Sequence, residues 1–472
     1  MVESKLIFLL KTFKKSEWRR FREFLASPFF NKRKDLLAFY QCIEETAPLF
    51  AAEKLEKEVV FKKIYGQKAY DDKQMRYLMN YTLKAAEQFM GYQRFECSNQ
   101  LDNYILEELV NRKLEKHSKR YFENISKKQK DKEEYTDDRF YAQYKFMDIA
   151  NKHFINQDLR RDDQNLKLAS EKLDTFYFYN KLKYSCEMLN RQSQFSSNYD
   201  LAFTKLLYNH LEQSSEIQEP LIAIYAQIYA LSTKEDAKNN FEKLKHLIRE
   251  HNQYIPSTEK RHIYSFAINY CSRQIKHNKN PIYFVRECLA LYLVGIQQEF
   301  LFINGYLSPW YFKNVVKLGF NLKRYDWTAA FIQDYHKKLA PTFQEDALHY
   351  NLADLAYRKG NHEKAQLYLL KVAYSDVFYT LGAKTMLLKI YYENNELESL
   401  LSLIASFSIY LKRNKKIGKN YRDTYLNFTS LLHQVTKAKK GKTSKILEKI
   451  YQTELLSNRR WLLEVCQQKM ST

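Results

Sequence analysis

The stretch LADLAYRKGNHEKA, residues 352–365, and the stretch LLKIYYENNELESL, residues 387–400, carry one pattern twice at an interval of 35. Leu352, Tyr357, Gly360 and Ala365 fall on Leu387, Tyr392, Asn395 and Leu400. In each copy apolar residues at helical spacing run up to a Gly or Asn, and a second helical run follows. Each copy therefore predicts two helices joined by a short turn, and a period of this length predicts stacked helix pairs. Ala353 and Ala365 are small, which lets paired helices approach closely. The second copy has Leu388 and Leu400 at those places, so the repeat is degenerate.

The same device extends toward the N-terminus. Leu221, Tyr225 and Ile228 form a stripe, and Ser232-x-x-Glu235 reads as a capping box before Ala237, Phe241, Leu244, Leu247 and Ile248. Asn280-Pro281 and Ser308-Pro309 each read as a helix cap followed by Pro at the first helical position. Helices are expected to start near 258, 281, 309, 326, 344, 361, 380 and 396, joined by short connections that make neighbours antiparallel.

Composition supports helices throughout. The 472 residues include only 9 Gly and 7 Pro, too few for a chain that turns as often as a sandwich or a Rossmann sheet. With 45% hydrophobic residues the chain can bury a large core. The longest apolar run, Leu289 to Ile296, is far short of the roughly 18 residues a membrane span needs. Leu6 to Leu10 is too short for a secretory signal, and the expected compartment is the cytoplasm.

Three regions follow from the breaks: 1–97, a helical module; 98–215, long charge-rich helices; and 216–472, the helix pairs. In the first, Ser16 is expected to cap a helix through Leu25, Asn31 begins another, Glu56 to Tyr65 stops at Gly66, and Asp71 or Asp72 caps a helix through Phe89. In the second, helices are expected over Leu101 to Lys113, Lys116 to Glu134, Asp137 to His153 and Asp162 to Phe195. Tyr141, Tyr144 and Met147 recur there at helical spacing and read as core.

Leu352-Ala353, Gly360-Asn361 and Ala365 resemble the large-small pair, turn and small packing residue of the tetratricopeptide repeat. A wider resemblance covers SPFFNKR (27–33), YSCEMLNRQ (184–192), NVVKLGFNLKRYDW (314–327) and residues 345–413, and is to bacterial tetratricopeptide-like proteins of the Bacteroidota type. It implies an all-α, tetratricopeptide-like solenoid of antiparallel helix pairs behind a small N-terminal helical module. It assigns no activity and no ligand residues.

Signatures of catalysis are missing from the sequence. Gly441-Lys442-Thr443 lacks the glycine that a phosphate-binding loop needs five residues earlier, where Thr436 stands. The six cysteines are widely separated, with no C-x-x-C, and read as buried thiols. Glu259-x-x-His262 is a single pair where a bundle di-iron site needs two, and it reads as a solvated helix start. No catalytic residue, metal, cofactor or small-molecule ligand is expected.

Two surfaces remain. With Asp346 as the first position of the better repeat, the tetratricopeptide resemblance makes Tyr350, Asp354 and Tyr357, with Lys389 and Tyr392 from the next, the residues of a concave groove that takes protein or peptide partners. The family's clamp for acidic C-termini has Lys and Asn where Tyr350 and Asp354 stand, so that ligand is not implied. These tyrosines equally suit packing between helices.

The net charge of +22 is concentrated: residues 1–40 carry net +6 and residues 411–450 net +10. Lys412, Arg413, Lys415, Lys416 and Lys419, with Lys437, Lys439, Lys440 and Lys442, flank a helix with the stripe Tyr421, Tyr425, Phe428 and Leu432. They form a candidate patch for an anionic partner, and they also fit ordinary solubilising lysines. The sequence thus suggests a non-enzymatic protein-interaction scaffold, with a nucleic-acid-associated protein acting through residues 412–445 as the alternative.

Overall fold

The structure, a computed structural model, describes residues 1–98, 100–130, 137–157, 163–193, 198–213, 219–234, 237–278, 280–372, 376–415, 417–438 and 443–471. Among these lie twenty-three α-helices, three single 3-10 turns and one hairpin of two-residue strands. The chain is all-α. It divides into two compact units, Met1–Asn180 and Lys181–Thr472.

The first unit opens with α1 (Lys5–Leu10), α2 (Lys15–Ala26), α3 (Lys34–Glu44), α4 (Lys57–Tyr65) and α5 (Asp72–Glu96). Helix α5 packs against α1, α2 and α3, around a core in which Phe21, Phe39, Tyr40 and Leu78 are fully buried. Asp71 caps α5 as expected, its carboxylate accepting the N–H groups of Lys73 and Gln74. The helix continues to Glu96 rather than stopping at Phe89, and Arg20 pairs with Glu96 on its last turn. Helix α2 starts at Lys15, not after Ser16, because the Glu17 carboxylate folds back to accept the Lys14 N–H at 2.6 Å. Next come α6 (Gln100–Asn111), α7 (Glu115–Lys130), α8 (Asp137–Ile155) and α9 (Asn165–Gln192), the last carrying the division at residue 180. Leu106, Val110, Ile125, Phe146 and Ile149 form the core of α6, α7 and α8. The expected helix limits Glu134, Asp162 and Phe195 lie outside the described residues.

The second unit continues with α10 (Ala202–Gln213), α11 (Pro220–Thr233), α12 (Ala237–Glu250), α13 (Ser257–His277), α14 (Ile282–Gln297), α15 (Pro309–Asn321) and α16 (Tyr325–Tyr335). It ends with α17 (Pro341–Arg358), α18 (His362–Leu369), α19 (Val377–Glu393), α20 (Leu397–Arg413), α21 (Lys419–Lys437), α22 (Thr443–Gln452) and α23 (Arg459–Ser471). Sequence neighbours pack in pairs, among them α13 with α14 and α17 with α18, and alternate helices also meet: α11 with α13, α15 with α17, α17 with α19.

One turn recurs between these helices. Lys323, Gly360 and Asn395 all have positive φ, at 57°, 77° and 59°. Each donates its N–H to the carbonyl three residues back, and the next residue donates to the carbonyl five back: Arg324 to Gly319, Asn361 to Ala356, Glu396 to Tyr391. This pair of bonds satisfies two orphan carbonyls at a helix C-terminus. Gly360 and Asn395, aligned by sequence alone, hold equivalent places, and Lys323 supplies a third copy that its side chain conceals.

Other starts shift. Ser308 accepts the Trp310 N–H and caps α15 with Pro309 at its first position, but α14 begins at Ile282 with Pro281, not Asn280, at the cap. Ser232 sits in the last turn of α11, so it does not cap α12; its intended partner Glu235 lies outside the described residues. The hairpin pairs β1 (Phe302–Ile303) with β2 (Tyr306–Leu307) across Asn304 and Gly305, both at positive φ. Asn-Gly is the strongest short hairpin signal, and the helical pattern on either side hid it. Arg261 of α13 holds the segment by donating to the carbonyls of Phe300 at 2.7 Å and Phe302 at 2.6 Å.

Glu259 overturns one expectation. It is 7% exposed, pairs with Lys183 at 2.9 Å and accepts the Tyr225 hydroxyl, so it is an interior ion pair rather than a solvated helix start. A buried carboxylate needs such partners to offset lost hydration.

Candidate functional site

Tyr350, Asp354 and Tyr357 follow one another at i, i+4 and i+7 along α17, which places them on one face. Lys389 and Tyr392 lie on the neighbouring α19. The structure brings Tyr357, Lys389 and Tyr392 together around a residue the sequence did not single out, Trp461 of α23. The Lys389 ammonium lies 4.5 Å from the centre of the Tyr357 ring and 5.5 Å from that of Trp461. Tyr392 meets the Trp461 ring edge-on at 5.7 Å. Ring faces attract a cation most where water is scarce, and burial lowers the pKa of Lys389.

Glu393, one turn past Lys389, collects the polar edges of this cluster. Its Oε1 accepts the Tyr357 hydroxyl at 2.6 Å and the Trp461 indole N–H at 2.6 Å. His362 Nε2 lies 3.3 Å from the other carboxylate oxygen, and His362 Nδ1 lies 2.7 Å from Asn394 Oδ1. A histidine and a carboxylate thus converge, but both ring nitrogens are engaged, which leaves neither free to act as a base. The Tyr357 hydroxyl is held protonated by burial and by the carboxylate it donates to.

The other two residues of the expected groove go elsewhere. Tyr350 is buried, packed edge-on against Tyr379 at 5.4 Å, with the Lys313 ammonium 5.4 Å from its ring centre. Asp354 pairs with Arg358 of the same helix at 2.7 Å. Two of the five expected residues are therefore engaged within the fold, Tyr350 in packing and Asp354 in an ion pair, and the other three, Tyr357, Lys389 and Tyr392, form a half-buried cluster with Trp461. Tryptophan is rare in this chain, with 4 copies, and that rarity was the one sequence signal pointing to position 461.

The basic region resolves into two ends of α21. Lys412, Arg413, Lys415 and Lys419 are exposed around the turn between α20 and α21, and Lys437 is exposed at the far end, roughly 27 Å from Lys419 at the helical rise per residue. Lys412 and Lys437 nevertheless border the same groove, about 530 Å³, between α20 and α21, with His433, Ser408 and an apolar floor of Leu401 and Ile404. Ser408 and Thr429 hydroxyls meet at 3.3 Å across its middle. Lys416, Lys439, Lys440 and Lys442 lie outside the described residues.

Among the described residues no cluster of His, Cys, Asp and Glu has the makings of a metal site, and no helix is long and apolar enough to cross a membrane. Of the cysteines, Cys186, Cys271, Cys288 and Cys466 are buried, whereas Cys42 is half-buried and Cys97 is exposed. Comparison of the chain with protein-family models, curated proteins and solved structures returned no match.

Proposed function

We propose that this chain is a non-enzymatic, cytoplasmic interaction scaffold of the tetratricopeptide-like kind, which binds a protein partner over the α17, α19 and α23 surface. The observation that carries this is the Lys389 cluster. A cation held between Tyr357 and Trp461, half open to solvent, has the composition of an interface hot spot, where Trp and Tyr dominate binding energy in partly desolvated surroundings. Recurring helix pairs with short turns offer such residues on a continuous surface.

The test is capture from native cytoplasm at low and moderate salt, with and without nuclease, using the full chain and a Lys389→Ala/Trp461→Ala variant. A protein retained at moderate salt after nuclease treatment, and lost by the variant with unchanged circular dichroism, supports the scaffold. Equal retention by both chains overturns the proposed surface.

The groove bordered by Lys412 and Lys437 favours a second reading, association with nucleic acid. Phosphate contacts release counterions, so that binding falls steeply with salt, and Lys412→Ala/Lys437→Ala reduces the slope. Recovery of nucleic acid alone, lost at moderate salt and on nuclease treatment, replaces the scaffold by this reading.

A further inference from the structure

Between α15, α17 and the start of α19 lies a small cavity of about 140 Å³, separate from both surfaces above. Its wall consists of Pro309, Trp310, Lys313, Phe343, Asp376 and Tyr379. A cavity of about 150 Å³ with apolar walls holds one benzene ring, so this space suits a single aromatic ring and little more. Trp310, 48% exposed, stands at its lip, and Tyr379, 3% exposed, lies at its inner side.

Lys313 is the one lysine on this wall. Its ammonium lies 5.4 Å from the ring centre of Tyr350 and 5.9 Å from that of Tyr379. Among the described residues no carboxylate pairs with it; Asp376 and Asp354 favour its charge through space, and Lys317 opposes it. The Tyr379 hydroxyl is buried and makes no well-formed hydrogen bond among the described residues; the Asp376 and Asp346 carboxylates act on it through space, and the Asn351 side chain opposes them. An amine in this setting has two natural ligands, an anion and a carbonyl compound. Asp376, on the same wall, disfavours the anion and leaves a neutral carbonyl unhindered.

We propose that this cavity binds a small aromatic aldehyde and that the Lys313 amine holds it as a reversible imine. The ammonium first releases a proton to solvent. The nitrogen lone pair adds to the carbonyl carbon, the C=O π pair moves to oxygen, and one amine proton passes to that oxygen, giving a carbinolamine. The C–O bond then breaks as the nitrogen lone pair forms C=N; the oxygen leaves as water with the remaining amine proton. No oxidant or reductant is involved. Burial lowers the Lys313 pKa to about 8, so at pH 7 the share of free base is about 200-fold that of an ordinary lysine near 10.4, as for lysines activated by desolvation.

The probe is benzaldehyde with cyanoborohydride, which reduces an imine to a stable benzylamine, added to the full-length protein at pH 7 and read by intact mass and peptide mapping. The expected result is one benzyl group per chain, at Lys313, before other lysines are modified. Lys313→Arg removes that first adduct and leaves the slow background. Benzyl alcohol, which has the ring but no carbonyl, slows labelling of Lys313 in the unaltered protein and leaves surface lysines unaffected; this arm holds even if the variant folds poorly. Even labelling across surface lysines, or labelling of Lys313 that benzyl alcohol does not slow, overturns the proposal.

Discussion

Gly319 of α15 has the closest interhelical approach in its turn, and replacing it tests the packing of the helix pairs. A Cβ there presses into the Thr328 hydroxyl oxygen of α16, with Trp327 Cζ3 at 3.1 Å and Thr328 Cβ at 3.4 Å. Thr328 is fully buried and its hydroxyl donates to the Arg324 carbonyl at 2.7 Å, which locks its rotamer. Gly319→Ala gains about 1 kcal/mol of helix propensity and costs about 1–3 kcal/mol in overpacking. A clash with a locked oxygen belongs at the upper end, so the net loss is about 1–2 kcal/mol. Thr328→Ala alone loses a hydrogen bond worth about 1 kcal/mol and a buried methyl worth about 1 kcal/mol. In the double variant the offending oxygen is gone, the 3.4 Å contact is ordinary, and the 3.1 Å contact is relieved by a few tenths of an ångström of movement of the Trp327 ring. Most of the propensity gain survives, for a net loss of about 1–2 kcal/mol against the roughly 3–4 kcal/mol that simple addition predicts. Urea unfolding followed by tryptophan fluorescence measures all four corners, since Trp310, Trp327 and Trp461 belong to the second unit. Strict additivity, with the double variant as damaged as the two single losses combined, refutes the packing described here.

The remaining predictions use other features of the same unit. Lys323 adopts φ 57° where its neighbouring turns have Gly360 and Asn395, so Lys323→Gly raises stability by about 0.5–1 kcal/mol, measured as a shift of the urea midpoint. Lys313 titrates near 8 when folded, through burial, and near 10.4 when unfolded. The unfolded chain therefore binds more protons between those values, and stability rises with pH across that window. Lys313→Met lacks this rise, so its stability advantage at pH 7 shrinks by pH 10 in parallel urea titrations. Burial pushes the Cys271 and Cys288 thiols up, the latter to about 12, while Cys97 is exposed. Brief alkylation of the native protein at pH 8, mapped by mass spectrometry, modifies Cys97 first and leaves Cys186, Cys271 and Cys288 intact until denaturant is added.

Helix content, the helix pairs and the Gly360 and Asn395 turns were legible in the chain because they depend on local terms: apolar spacing, turn conformation and the scarcity of Gly and Pro. The Lys323 turn was not, since a lysine reaches positive φ only when packing on both sides imposes it. Ser16, Ser232 and Asn280 read as caps because their residue types suit that role, but the observed helix starts followed Glu17, the extra turn of α11 and the rigid Pro281.

For the candidate sites, the tetratricopeptide resemblance singled out Tyr350, Asp354 and Tyr357, and charge counting placed the lysines at the ends of α21. Which of those tyrosines is reachable depended on Trp461 and Glu393. Trp461 meets Lys389 and Glu393 across about 70 residues of chain, and Glu393 meets Tyr357 across 36, separations no local pattern encodes. The Lys313 cavity is likewise a product of three helices meeting, because burial, and with it the removal of water from an amine, exists only where distant segments pack together.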